Sequence, residues 1–273
     1  MRTNFTRIVF ALAAALAVAA GSKANAELVY GVSDQLDQLV SFDSASPGTL
    51  LSAVSITGLQ SGEEVRGIDW IGGTLYGLGN QNHLYTINPL SGAVTQVGAA
   101  FSPTLNGIDF GFNAGISQLY VSSDLGQNLT LNPITAVATA GPNYTGAGID
   151  AMAYDYVNGD FYGISAATHD LYGMNPATGA TSLIGPTGVG FVDRVGFDIS
   201  PVGNAYFSGT VGGQTEFFSV DLSTGALSLI GDVGTPGELT SGLDSIAIVP
   251  EPATAALAAI GGGLMLVLFR RRK

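Results

Sequence analysis

A glycine, a large apolar residue and an aspartate recur five times along the chain: Gly67-Ile68-Asp69, Gly107-Ile108-Asp109, Gly148-Ile149-Asp150, Gly196-Phe197-Asp198 and Gly242-Leu243-Asp244. Successive aspartates lie 40, 41, 48 and 46 residues apart. Self-similarity at that period confines a chain to architectures that repeat one supersecondary unit. Three more segments follow each of the first four motifs. LYGLG (75–79), LYVSS (119–123), FYGIS (161–165) and AYFSG (205–209) come second. HLYTINP (83–89), NLTLNP (128–133), DLYGMNP (170–176) and EFFSVD (216–221) come third, and AVTQVG (93–98), AVATAG (136–141), ATSLIG (180–185) and ALSLIG (226–231) fourth. Each is short, rich in β-branched and aromatic residues, and bounded by Gly, Asn, Pro or Ser, which are strand signals. NPLSG (88–92), NPATG (175–179) and DLSTG (221–225) carry tight-turn chemistry. Four strands per period is the spacing of propeller blades.

The ends decide between a ring and an open array. The fifth repeat has only its first strand, GLDSIAIV (242–249), while LVYGV (28–32), QLVSFD (38–43) and LLSAVSIT (50–57) supply the second, third and fourth strands of a blade that lacks its first. The expectation is an all-β, five-bladed β-propeller over 27–249, closed by pairing of the C-terminal strand with the N-terminal blade. Closure leaves no open ring edge. An open solenoid or a two-sheet sandwich is the alternative, and neither explains the split repeat.

Outside 27–249 the chain changes character. Arg2 and Arg7, the apolar run 8–20 and Ala24-Asn25-Ala26 make a signal peptide over 1–26, with Ala24 and Ala26 at the cleavage site. An uncleaved N-terminal anchor is the alternative. Residues 253–269 are an uncharged apolar run at the lower limit of a membrane span, followed by Arg270, Arg271, Arg272 and Lys273, which hold the C-terminus on the cytoplasmic side. With both ends set aside, residues 27–250 keep two arginines, no lysine and 20 acidic residues, a net charge of −18. Such a body repels nucleic acid and anionic lipid surfaces. There is no cysteine, which excludes disulfides, thiolate metal sites and a cysteine nucleophile.

Val249-Pro250-Glu251-Pro252, an apolar segment and an arginine cluster, in that order, resemble the PEP-CTERM sorting signal over 249–273. The resemblance implies export across the inner membrane of a Gram-negative bacterium by the secretion machinery. It implies recognition of Pro250, Glu251 and Pro252 by a membrane-embedded exosortase, with only a transient stay in the membrane. It implies delivery to the cell surface or an exopolysaccharide matrix. A plain C-terminal anchor is the alternative. The G-I-D, L-Y and N-P-x-T-G cadence also resembles a bacterial domain-of-unknown-function family of propellers.

Propeller geometry sorts the loops onto two faces. The loops from strand 1 to 2 and from 3 to 4 share a face with both chain ends, the tail face. The loops from 2 to 3 and from 4 to 1 share the opposite, free face. Glu63, Glu64, Arg66, His83, His169, Asp193 and Arg194 fall on the free face. They are candidates for a shallow polar site for a neutral sugar, a cation or a protein loop, or they are ordinary solvated loop residues. The repeated Asp69, Asp109, Asp150, Asp198 and Asp244 read as structural, doing one job at one place in every blade. A calcium ion in the channel stays open, although no D-x-[DN]-x-[DN]-G loop is present. No catalytic residue is assigned, because G-x-S-x-G, H-E-x-x-H and G-x-x-x-x-G-K are all absent. Trp70 is expected to pack in the core. The expected function is a non-enzymatic binding or structural module with no resident cofactor, its partners exosortase and an exopolysaccharide or surface protein. A glycan-acting lyase or hydrolase using Glu63, Glu64 or Asp193 is the alternative.

Overall fold

The computed structural model describes residues 26–33, 37–106, 110–114, 118–146, 148–235, 237–239 and 242–249. The expected signal residues through Asn25, and Pro250, Glu251, Pro252, the 253–269 span and Arg270, Arg271 and Arg272, lie outside them. Among the described residues there are twenty strands and no helix, so none long and apolar enough to cross a membrane.

The strands form five four-stranded antiparallel sheets. Blade 1 contains β1 (Leu28–Ser33), β2 (Gln38–Asp43) and β3 (Ser46–Ser55). Blade 2 is β4 (Val65–Ile71), β5 (Thr74–Gly79), β6 (Leu84–Ile87) and β7 (Val94–Val97). Blade 3 is β8 (Phe110–Ala114), β9 (Leu119–Ser123), β10 (Asn128–Leu131) and β11 (Ala138–Ala140). Blade 4 is β12 (Ala151–Asp155), β13 (Asp160–Ser165), β14 (Asp170–Asn175) and β15 (Ala180–Pro186). Blade 5 is β16 (Val192–Ile199), β17 (Ala205–Val211), β18 (Gln214–Val220) and β19 (Leu227–Asp232). The last strand, β20 (Ser245–Val249), joins blade 1 as its innermost strand, in the order β20-β1-β2-β3. The five-bladed ring with its split first blade is the expected fold. The innermost strands touch in a closed circuit, β20 to β4, β8, β12, β16 and back to β20.

Apolar residues from neighbouring blades meet in five wedges, one per blade boundary. Val29, Phe42, Phe217 and Ile248 fill the wedge between blades 5 and 1. Phe42 there meets Phe217 edge-on at 5.1 Å. Each such side chain contributes about 1.5–3 kcal/mol on burial. The glycines of two repeat motifs have a packing reason. A Cβ on Gly67 would stand 2.5 Å from the Cβ of Phe112 in the next blade, and one on Gly196 would stand 2.8 Å from the backbone nitrogen of Ile246. Only glycine allows the inner strands this approach.

The turns from strand 3 to strand 4 are built alike in all five blades. Asp43, Asn88, Asn132, Asn175 and Asp221 each accept, through Oδ1, a hydrogen bond from the backbone N–H two residues on. These are side-chain-capped turns of the Asx kind. Their tips are Ala45, Leu90, Ile134, Ala177 and Ser223, all exposed and none charged.

Candidate functional site

Arg66 and Arg194 are brought together although 128 positions of sequence separate them. Each sits at an irregularity of its inner strand. The β4–β5 register shifts between Val65 and Gly67, and the β16–β17 register shifts between Val192 and Gly196. A bulge re-aims the extra residue, and Arg194 adopts a left-handed φ of 72° there. Both guanidiniums donate to one oxygen: Arg66 Nη1 lies 3.0 Å and Arg194 Nη1 3.1 Å from Asp244 Oδ1. Arg66 Nη2 also donates to Glu64 Oε2 at 2.8 Å. Burial pushes the Asp244 carboxyl up, and the charges of Arg66 and Arg194 oppose it. The cluster joins blades 5, 1 and 2 at the free-face mouth of the axis.

Glu63 is committed elsewhere. Its buried carboxylate accepts from the Tyr85 hydroxyl at 2.5 Å and the Gln81 N–H at 3.0 Å, and His83 Nδ1 lies 2.9 Å from Oε2. Burial first, and then the hydrogen bond to Glu63, push the Tyr85 phenol up to about 12. Gly79 makes the room, since a Cβ there would collide with Glu63 Oε1. His169 stands apart: Nε2 lies 2.8 Å from the Phe191 carbonyl, and the ring packs edge-on against Phe191 at 4.7 Å. Asp193 lies in β16, and its side chain is outside the described residues. The described candidates therefore fall into three groups, around Asp244, Glu63 and Phe191, each with its own scaffold contacts.

The repeated aspartates do not share one place, which corrects the sequence expectation. Cross-strand register fixes their positions. Asp69 pairs with Tyr76, Asn113 with Tyr120, Ala153 with Tyr162, Asp198 with Tyr206 and Ala247 with Tyr30. Asp69 and Asp198 thus sit low on their strands, at the tail-face mouth, alongside Asn113. Asp150 and Asp244 precede the equivalent positions by three residues and sit at the free-face mouth. Asp109 lies outside the described residues. The jobs differ accordingly. Asp198 Oδ2 accepts from the Ile248 N–H of the next blade at 2.7 Å, and Oδ1 accepts from the Ile199 N–H at 2.7 Å and from Asn113 Nδ2 at 3.0 Å. Asn113 Oδ1 in turn accepts from the Tyr154 N–H at 3.0 Å. Burial raises the Asp198 carboxyl to about 7, against the three donors that hold it down. Asp150 Oδ2 instead accepts from the Ala166 N–H of its own blade at 2.6 Å.

Sequence reasoning missed the tail-face mouth. A cavity of about 460 Å³ opens there, lined by Asp69, Trp70, Tyr156, Asp198, Pro201 and Ile248. Trp70 is half-buried, stacked on Tyr30 at 6.1 Å, rather than enclosed in the core. Burial raises the Tyr156 phenol, with the charges of Asp69 and Asp198 adding to it. Among the described residues no group of three or more His, Cys, Asp or Glu is placed to hold a metal ion. The tyrosines were the available signal: Tyr30, Tyr76, Tyr120, Tyr162 and Tyr206 are spaced by 46, 44, 42 and 44, more evenly than the aspartates.

Residues 38–243 match the family described as Domain of unknown function (DUF4394), and residues 249–273 match the PEP-CTERM protein-sorting motif. No curated protein matches the chain. A solved protein of unknown function from Bacteroides thetaiotaomicron VPI-5482 is similar at a TM-score of 0.54 and 17% identity, over 83% of this chain and 66% of that one. The chain thus spans slightly under two thirds of that protein's length, and the likeness extends to the fold alone. A chain of a nidogen/laminin complex aligns at a TM-score of 0.49 and 11% identity, over 82% of this chain and 86% of that one.

Proposed function

The chain belongs to the DUF4394 family and carries a PEP-CTERM sorting motif, which makes it an exported propeller with exosortase as its sorting partner, and from that premise we propose a non-enzymatic binding or structural module of the cell surface or exopolysaccharide matrix. The apolar run 253–269 enters the inner membrane, the exosortase cuts near Pro250-Glu251-Pro252, and the propeller is released to the surface. The observation that carries the reading is the position of the chain ends. Leu28 and Val249 are paired neighbours on one face, so the tail acts as a single stalk and the free face points away from the membrane. A non-enzymatic role is supported by the commitment of Glu63, Arg66 and Arg194 to internal contacts, which leaves these residues little freedom to act on a ligand. The testing experiment incubates the purified propeller with the host's own polysaccharide and measures retention and chain length. Retention without shortening supports the module, and shortening contradicts it.

One observation favours a second reading, a glycan-acting enzyme. Asp198 and Asp69 line the same cavity, the Asp198 carboxyl raised to about 7 by burial, and a pair of carboxyls at one site is the arrangement glycan hydrolysis uses. In that reading Asp69→Asn abolishes polysaccharide shortening while the variant stays folded.

A further inference from the structure

The two faces differ sharply in chemistry. The described basic residues Arg66, His83, His169 and Arg194 are all at the free face. Of the acidic residues near the tail face, Glu27, Asp69, Asp155 and Asp198 are buried, while Asp43 is half-buried and caps its turn. Asp160 and Asp221 carry the exposed charge there. Apolar residues project between them. Leu90 is 87% exposed and Ile134 80%, at equivalent turn tips of blades 2 and 3. Val157 is 62% and Val202 73% exposed, on the inner loops of blades 4 and 5. Four large apolar side chains thus project from successive blades on the face that the tail leaves, where singly each would be ordinary.

The sequence names what lies opposite. Only Pro250, Glu251 and Pro252 separate Val249, the end of β20, from the apolar run that begins at Ala253. Fully extended, that connection reaches roughly 14 Å. The headgroup layer on one side of a bilayer takes up about 5–8 Å of it. The remaining slack is about 6–9 Å, so while the tail is in place the tail face is held within reach of the lipid surface, and its own chemistry decides whether it settles there.

We infer that, before tail removal, the propeller lies with its tail face on the phospholipid surface, the apolar tips Leu90, Ile134, Val157 and Val202 dipping into the headgroup region. This rests on the reading that the tail enters a bilayer. The contact is apolar in kind, as in interfacial segments that bury side chains at the headgroup boundary. With no basic residue among the described ones at this face, it owes little to anionic lipid.

Trp70 is the chain's single tryptophan and lines the tail-face mouth, which makes it a native reporter. The chain with its C-terminal segment is reconstituted into phosphatidylcholine vesicles, plain or brominated high on the acyl chain. Co-flotation reads insertion of the tail, and quenching of Trp70 emission by the short-range bromine reads apposition of the face. The expected result is flotation with at least a twofold loss of emission, insensitive to salt. The combined Leu90→Ser, Ile134→Ser, Val157→Ser and Val202→Ser variant should float but lose most of the quenching. Val192→Ser, at an exposed free-face residue, should keep it. Flotation with equal emission on both vesicle types overturns the inference and leaves the tail reading intact. Absence of flotation overturns both.

Discussion

Leu28 stands opposite Val249 across the β1–β20 ladder, so the two ends of the propeller meet in one antiparallel pair. The ring is closed by the last of the described strands, and stability should depend on it. β20 buries Ile246, Ile248 and Val249. At about 1.5–3 kcal/mol each, these side chains together approach the whole stability of an ordinary domain, roughly 5–15 kcal/mol. A chain ending at Val249 should unfold cooperatively on heating. A chain ending at Gly242 should show no cooperative transition in calorimetry.

Asp198 should imprint itself on the pH dependence of stability. Its folded-state carboxyl is raised to about 7 from the ordinary 3.8, so between these values the folded state holds a proton that the unfolded chain has lost. Stability from this group is therefore present at low pH and falls as pH rises from about 4 to about 7, by at most about 1.4 kcal/mol per pH unit. Asp198→Asn should flatten that part of the profile in urea titrations. It should also cost about 1–3 kcal/mol, because an amide cannot accept from both the Ile199 and Ile248 N–H groups through its two ends.

Arg66 and Arg194 share Asp244 Oδ1, which makes their removal non-additive. Either Arg→Ala change alone leaves the carboxylate one guanidinium and should cost about 1–2 kcal/mol. Losing both takes every guanidinium from a buried carboxylate, and the cost should rise to about 3–5 kcal/mol. A double-mutant cycle by chemical denaturation measures the coupling. An additive result would mean that the cluster does not act as a unit.

Glu63→Gln tests whether the free-face acid is scaffold or site. The carboxylate accepts from Tyr85, Gln81 and His83, and an amide satisfies fewer of these donors. A loss of about 1–3 kcal/mol in stability, with unchanged retention on the host polysaccharide, is the expected outcome. Calorimetry and a pull-down on immobilised polysaccharide check the two parts.

The blade count, the split repeat and the sorting of loops onto two faces were legible in the sequence, because strand length, turn residues and period are local properties. The places of the repeated aspartates were not. Gly148-Ile149-Asp150 and Gly196-Phe197-Asp198 look alike as strings, yet Asp198 lies opposite Tyr206 while Asp150 precedes the matching register position by three residues. Cross-strand pairing decides this, and the bulges beside Arg66 and Arg194 shift that pairing without marking the local sequence. The bonds that tie up the free-face residues were not legible either, because they join residues far apart in the chain, as Arg66 is from Asp244. The tail-face cavity was missed for the same reason, since blades 1, 2, 4 and 5 each lend it a residue.

The most direct test of the central claim is the mass of the mature protein's C-terminal peptide, taken from native cells and from cells lacking the exosortase. The expected result is a chain ending near Pro250-Glu251-Pro252 only where the exosortase is present, with the propeller recovered from the surface or matrix. A chain still ending at Lys273 in both strains would contradict it, and would make the propeller a permanently tethered membrane protein.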